Sequence, residues 1–246
     1  MRRWQLWGTL TFVTALVAGN TKAMTLANTN LVDLIRDADS IVVGSVSTVT
    51  DGVDTNGFPY TEVTVSVQEA IRGTQSDTYT FRQIGLQKPR LTADGTKMML
   101  PAPEGIPRYA VGEHVLLFMG TPASMTGLQS TIGLGFGKFY LNAGSAVDDV
   151  GNEGVFQNVE LRAGLATAND SRILTTSMGA VNPDDLLSLV HRAVDGNWAG
   201  TCQMWKTGET PICTPLSRRP AKAPSTTLPK SGTPTAIGPT ADQKLR

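Results

Sequence analysis

The residues that can carry chemistry are few. The chain of 246 residues has two cysteines and two histidines. That is too few for a zinc centre built from Cys and His alone, which takes four ligands. His114 opens an apolar run and His191 sits near the end of an amphipathic one. Neither stands in an HExxH pattern, so both read as structural or surface histidines. No GxSxG elbow occurs, and a serine hydrolase therefore has no signature here. Gly133-Leu134-Gly135-Phe136-Gly137-Lys138 lacks the GxGxxG spacing, and Phe139 follows the lysine where a phosphate loop needs Ser or Thr. It reads as a glycine-rich turn between strands. Two acidic runs, Asp51 to Gly57 and Asp148 to Glu153, carry oxygen ligands of the kind calcium takes. The first has Gly52 and Val63 where an EF-hand loop needs its first and last ligands. Both read as ordinary polar turns. No cofactor and no metal is expected.

Cys202 and Cys213 are separated by ten residues that include Gly208 and Pro211. This spacing does not match a redox CxxC motif. In an exported chain the two are expected to pair. Closing such a loop adds up to about 3 kcal/mol in the chain-entropy model. Trp198 and Trp205 flank Cys202 and suit a small satellite core around the bridge.

The elements that must position these residues follow from how charge is distributed. Lys+Arg and Asp+Glu balance at 21 each. Residues 1–23 carry +3, residues 24–213 carry −8 and residues 214–246 carry +5. Arg2 and Arg3 precede the apolar run from Leu6 to Ala18, and Thr21-Lys22-Ala23 offers a cleavage site. The run is shorter than the roughly 20 residues that span a bilayer, so 1–23 reads as a removed signal peptide. No membrane span is then left. Residues 214–246 hold Pro215, Pro220, Pro224, Pro229, Pro234 and Pro239 among small and basic residues. Such a composition has nothing to bury, and a disordered tail is expected. With basic and acidic residues balanced over the whole chain, a basic nucleic-acid binder is not expected.

The middle segment reads as mainly β. Asn30 caps a short helix that carries Leu31, Leu34 and Ile35 on one face. Ser40 to Thr50 reads as a strand with a bulge at Gly44, because a glycine inside a strand often marks one. Given that bulge, Val46 would share a face with Ile41 and Val43. Tyr60 to Ile71 alternates apolar and polar residues, as a strand with one wet face does. Thr78 to Ile84 follows. Residues 85–112, with four prolines, read as a long irregular excursion. Glu113 to Met119 is apolar on both faces and should be central. Leu128 to Ile132 and Phe136 to Leu141 are further strands, and Val155-Phe156 is a weaker one. Asn182-Pro183-Asp184-Asp185 starts a C-terminal helix that Gly196 stops.

Four patterns occur in order: Ile41-Val42-Val43-Gly44-x-Val46, then Tyr60-Thr61-x-Val63-x-Val65-x-Val67 closed by Arg72-Gly73, then Val111-Gly112-Glu113-x-Val115-Leu116-Leu117-Phe118, then Gly135-x-Gly137-Lys138-Phe139. Over residues 30–141 this order resembles bacterial secreted proteins whose OB-fold domain is similar to tissue inhibitors of metalloproteinases and netrin modules. The resemblance implies an OB-like Greek-key barrel, here with an N-terminal helix, a C-terminal helix and a Pro-rich tail. It implies a protein partner, with an extracytoplasmic metalloprotease as the specific candidate. Those inhibitors place an N-terminal Cys amine on the protease zinc. No Cys lies near a mature N-terminus here, so inhibition would have to use loops, 85–112 or 51–59.

The expected function is a non-enzymatic binding module, secreted or periplasmic, with domains 1–23, 24–213 and 214–246. One alternative is an extracytoplasmic hydrolase whose site is assembled from distant Asp, Glu or Ser residues. The other is a structural protein tethered to the envelope by its cationic tail.

Overall fold

The computed structural model describes residues 29–91, 94–201 and 203–208. The expected signal peptide at 1–23, the expected Cys202–Cys213 pairing and the expected tail at 214–246 lie outside the described residues. Among those residues no helix is long and apolar enough to cross a membrane.

The chain enters through helix α1, Leu31–Asp37. Asn30 Oδ1 accepts from the Val32 and Asp33 amides, and Asp33 Oδ2 accepts from the Asn30 amide. This reciprocal box satisfies donors that a helix start leaves open. Strands β1 (Ser40–Val53), β2 (Pro59–Arg72) and β3 (Thr78–Ile84) form a meander. A small hairpin, β4 (Arg90–Leu91) and β5 (Lys97–Met98), follows inside the excursion. Strands β6 (His114–Met119), β7 (Lys138–Asn142) and β8 (Ser145–Asp148) complete a six-stranded antiparallel sheet of order β3-β2-β1-β6-β7-β8. The protein is thus mainly β, with 36% of residues in strands against 19% in helices. After β9 (Val159–Leu161) come α2 (Ala168–Leu174), α3 (Pro183–Asp195) and β10 (Met204–Lys206), which pairs with β9.

Two apolar clusters lie on opposite faces of the sheet, because β1 and β6 feed both. Ile41, Val43, Leu116 and Phe118 join Phe139, Leu141 and the buried stripes of α1 and α3. Val42, Val46, Leu117 and Met119 join Val63, Val65, Phe81 and Tyr109. Val46 therefore sits opposite Ile41 and Val43 and does not share their face. The β1–β2 register shifts at Ile41/Val42, Val43/Gly44 and Val46/Thr48. At Gly44 the strands approach so closely that a Cβ would lie 2.2 Å from the Ser66 carbonyl oxygen. Only glycine fits there.

The run expected as a strand at 128–132 forms isolated bridges instead. Leu128 bridges Arg82 in parallel and Thr131 bridges Met119 antiparallel. Gln129 N donates to Arg82 O at 2.7 Å, and Ile132 N to Phe118 O at 2.8 Å. The run thus touches both β3 and β6. Val155 and Phe156 are fully buried in turns, where the Val155 carbonyl accepts from Leu31 N at 2.7 Å. They are core residues without a ladder.

Candidate functional site

Residues 51–58 and 85–112 are joined through one side chain. Asp51 Oδ1 accepts from Thr61 Oγ1 at 2.8 Å and from Gln87 N at 3.0 Å, while Oδ2 accepts from Lys88 N at 2.9 Å. Arg90 Nη1 donates to the Asp51 carbonyl at 3.1 Å. Gly85 N donates to Pro59 O at 3.2 Å. A carboxylate receiving amide donors is a charge-assisted contact, stronger than a neutral one. The β1–β2 connection and the start of the excursion are therefore held as one surface. Asp54 shapes its own turn, with Oδ1 accepting from Asn56 N and Phe58 N.

The excursion is rooted at both ends. Leu86 and Tyr109 are buried, Leu86 N donates to Leu100 O at 2.7 Å, and Gln83 Nε2 and Gln87 Nε2 donate to the carbonyls of Pro107 and Tyr109. Gly85, at φ +102, lets Ala102 pack where a Cβ would lie 2.6 Å from its Cα. From these roots the surface presents Phe58, Leu91, Met99 and Leu100, which are 51%, 72%, 55% and 42% exposed. Beside them lies a recess of about 390 Å³ lined by Val49, Thr50, Asp51 and residues 87–90. Three of them fall within one ten-residue stretch, and large apolar side chains grouped on a surface mark interaction sites more often than scattered ones do.

A second constellation centres on Lys138, which is fully buried at the start of β7. Its Nζ donates to Glu113 Oε2 at 2.9 Å and to the Arg108 carbonyl. It sits 4.4 Å from the Tyr109 ring centroid and 4.1 Å from that of Tyr140. Tyr140 in turn donates to Asp149 Oδ1 at 2.6 Å. Burial lowers the Lys138 ammonium below its ordinary range, against the pull of Glu113. Burial also raises the phenols of Tyr109 and Tyr140. With a carboxylate, a carbonyl and two ring faces around it, the ammonium ties β7 to β6 and to the end of the excursion. It is a clamp, with its N–H donors committed to Glu113 and the Arg108 carbonyl. The sequence offered one signal for it: Lys138 and Tyr140 alternate with Phe139 and Leu141, placing a lysine in phase on a strand whose other face is core.

The remaining candidates are dispersed. His191 Nε2 lies 2.8 Å from Glu69 Oε1 and links α3 to β2. His114 Nε2 is buried with no hydrogen-bond partner. In the second acidic run, Asp148 Oδ1 accepts from Val150 N and Asn152 N, and Asn152 donates to the carbonyls of Ala146 and Gly179. These bonds tie β8 to Gly179, and the backbone of Ala146 bridges Val181 two residues on. Among the described residues no group of three or more His, Cys, Asp or Glu is placed to hold a metal ion. Leu134–Gly137 form a short 3-10 helix preceded by Gly133 in the left-handed region. Between α2 and α3, Asp170 accepts from Arg192 Nη2 at 2.5 Å and from Thr167 N at 2.8 Å. Burial alone would raise its carboxyl, and these bonds bring it below the ordinary value.

No family model matches the chain, and neither a curated protein nor a solved structure matches it.

Proposed function

We propose that the chain is an exported, non-enzymatic binding module on an OB-like Greek-key barrel, and that a protein partner seats on the joined loops 51–58 and 85–112. One observation carries the reading. Asp51 spends its carboxylate on locking the two loops together, while the residues around it hold Phe58, Leu91, Met99 and Leu100 in water. Pre-ordering lowers the entropy lost when a partner binds.

The barrel part of the reading is supported by the run 128–132. Counted as a strand, it gives the cyclic order β1-β2-β3-(128–132)-β6-β1. This order matches that expected for a partly open five-stranded OB-fold, a fold that binds through its open face and loops. Val42, Val63, Val65, Phe81, Val115 and Leu117 would be its interior. The resemblance makes an extracytoplasmic metalloprotease the specific partner, in the secreted or periplasmic space.

The test is a pull-down from an envelope extract with the Leu91→Ser/Leu100→Ser chain beside the wild type. Both positions are exposed, so the melting temperature should be unchanged. Loss of the retained partner at equal melting temperature is the expected result. Full retention of every partner refutes the loop surface.

A further inference from the structure

The joined loops also differ electrostatically from the rest of the domain. Of the twelve basic residues in 24–213, eight lie outside the excursion. Six of those eight are ion-paired: Arg36, Arg82, Lys138, Arg172, Arg192 and Lys206. Arg72 is bonded to the carbonyls of Ile35 and Ala38, and Arg162, the eighth, is exposed and in no ion pair among the described residues. The excursion holds the other four, Lys88, Arg90, Lys97 and Arg108, all exposed. Among the described residues none of these four has a carboxylate within ion-pair distance; Arg90 reaches only a backbone carbonyl. Asp51, which lines the recess with Lys88 and Arg90, turns its carboxylate onto the amides of Gln87 and Lys88. A domain of net −8 thus partners seven of its eight other basic residues and leaves all four of the excursion without a carboxylate, in the segment that carries exposed Leu91, Met99 and Leu100.

We infer that the partner presents an acidic protein segment with an apolar side chain among its carboxylates. This rests on the loop surface proposed above and names the chemistry it selects. Lys88, Arg90 and Lys97 meet the carboxylates, and the recess beside Asp51 takes the apolar side chain. Complementary charge of this kind steers encounter and rejects wrong partners. An anionic bilayer offers the same two chemistries, but two features favour a peptide. A bilayer is laterally extended, so it would repel the surrounding net −8 as well as attract the island. A peptide confronts the island alone. A recess also fits a single side chain, for which a flat lipid surface has no counterpart.

The experiment is an array of random 12-residue peptides probed with the purified chain and with its Lys88→Glu/Lys97→Glu variant. Vesicles of phosphatidylglycerol and of phosphatidylcholine are run in parallel. Retained peptides should be enriched roughly threefold or more in Asp and Glu, each beside Leu, Met or Phe, with retention falling in 0.5 M salt. In the variant the enrichment should reverse toward Lys and Arg. Both substitutions are at exposed, unpaired positions, and matching melting curves establish that the variant folds. Retention without acidic enrichment, or enrichment that the double reversal leaves untouched, overturns the inference while the loop surface stands. Preferential binding to phosphatidylglycerol vesicles with no peptide retained overturns it in favour of a membrane. Peptide retention indifferent to Leu91→Ser/Leu100→Ser overturns the loop surface itself.

Discussion

Asp148 is the residue whose replacement should change the pH dependence of stability most. It is 3% exposed, and its Oδ2 is buried without a hydrogen-bond partner. Burial is the main cause that raises its carboxyl from 3.8 to about 6, against the amides of Asn152 and Val150. The folded state therefore holds this proton more tightly than the unfolded chain does. The stability contributed by this group is full below about pH 4 and is lost as pH rises through about 6. A shift of about 2 units at 1.36 kcal/mol each amounts to about 3 kcal/mol across that window. Asp148→Asn keeps an oxygen to accept from Val150 N and Asn152 N and removes the charge. It also places an amide N–H where Oδ2 was, an unpaired donor costing about 1–3 kcal/mol at every pH. That constant cost cancels when the difference between wild type and variant is compared at two pH values. Urea unfolding of both chains at pH 4 and pH 7.5 should show the difference moving by about 2.5 kcal/mol in favour of the variant at the higher pH. Titrations elsewhere are shared by the two chains and drop out. A difference constant to within about 0.5 kcal/mol would refute the assignment of a raised carboxyl to Asp148.

Other consequences follow from the same geometry. Lys138→Met should destabilise by about 3 kcal/mol in urea unfolding, at the low end for breaking a buried pair because Glu113 regains water; a loss under about 1 kcal/mol would mean that the clamp contributes little. Gly44→Ala should cost at least about 2 kcal/mol by thermal melting, since its Cβ would meet the Ser66 carbonyl at 2.2 Å and Val65 Cγ1 at 2.8 Å. Asp51→Ala should speed hydrogen exchange over residues 87–100 while leaving β6 protected, because it releases the excursion without touching either core; equal exchange in both proteins would show that the loops are held otherwise.

What the sequence made legible was what local pattern specifies. The alternation of Thr61, Val63 and Val65 with Glu62 and Thr64 placed β2, and the Asn182-Pro183 start placed a helix at 183–195. The helix at 168–174 went unread, although Thr167 and Asp170 make the same reciprocal box as Asn30 and Asp33. Its stripe is short, with Ile173 its one buried apolar residue, and so no periodicity announced it. The joined loops were named as candidate binding segments, but their union was not. Asp51 lies 36 and 37 residues from the amides it accepts, Gln87 and Lys88. Contacts at that separation leave no trace in spacing. Lys138 was seen as the end of a glycine turn because its partners, Arg108, Tyr109 and Glu113, come from a proline-rich stretch with no pattern of its own.

The register of the sheet depends on these same non-local contacts. A one-residue slip normally moves polar side chains into a core, and that cost fixes the pairing. In β1 from Ile41 to Val43 and in β6 from Val115 to Met119, both faces are apolar and both are buried. A slip there would exchange residues between two apolar clusters at little hydrophobic cost. The pairing must then be set by features that tolerate only one partner. Gly44 is one, because a slip would place a side chain against the Ser66 carbonyl. Lys138 is another, because sliding β7 on β6 would take a buried ammonium away from Glu113 and Arg108 and leave it unpaired. The buried lysine thus specifies alignment in a sheet whose hydrophobic pattern does not.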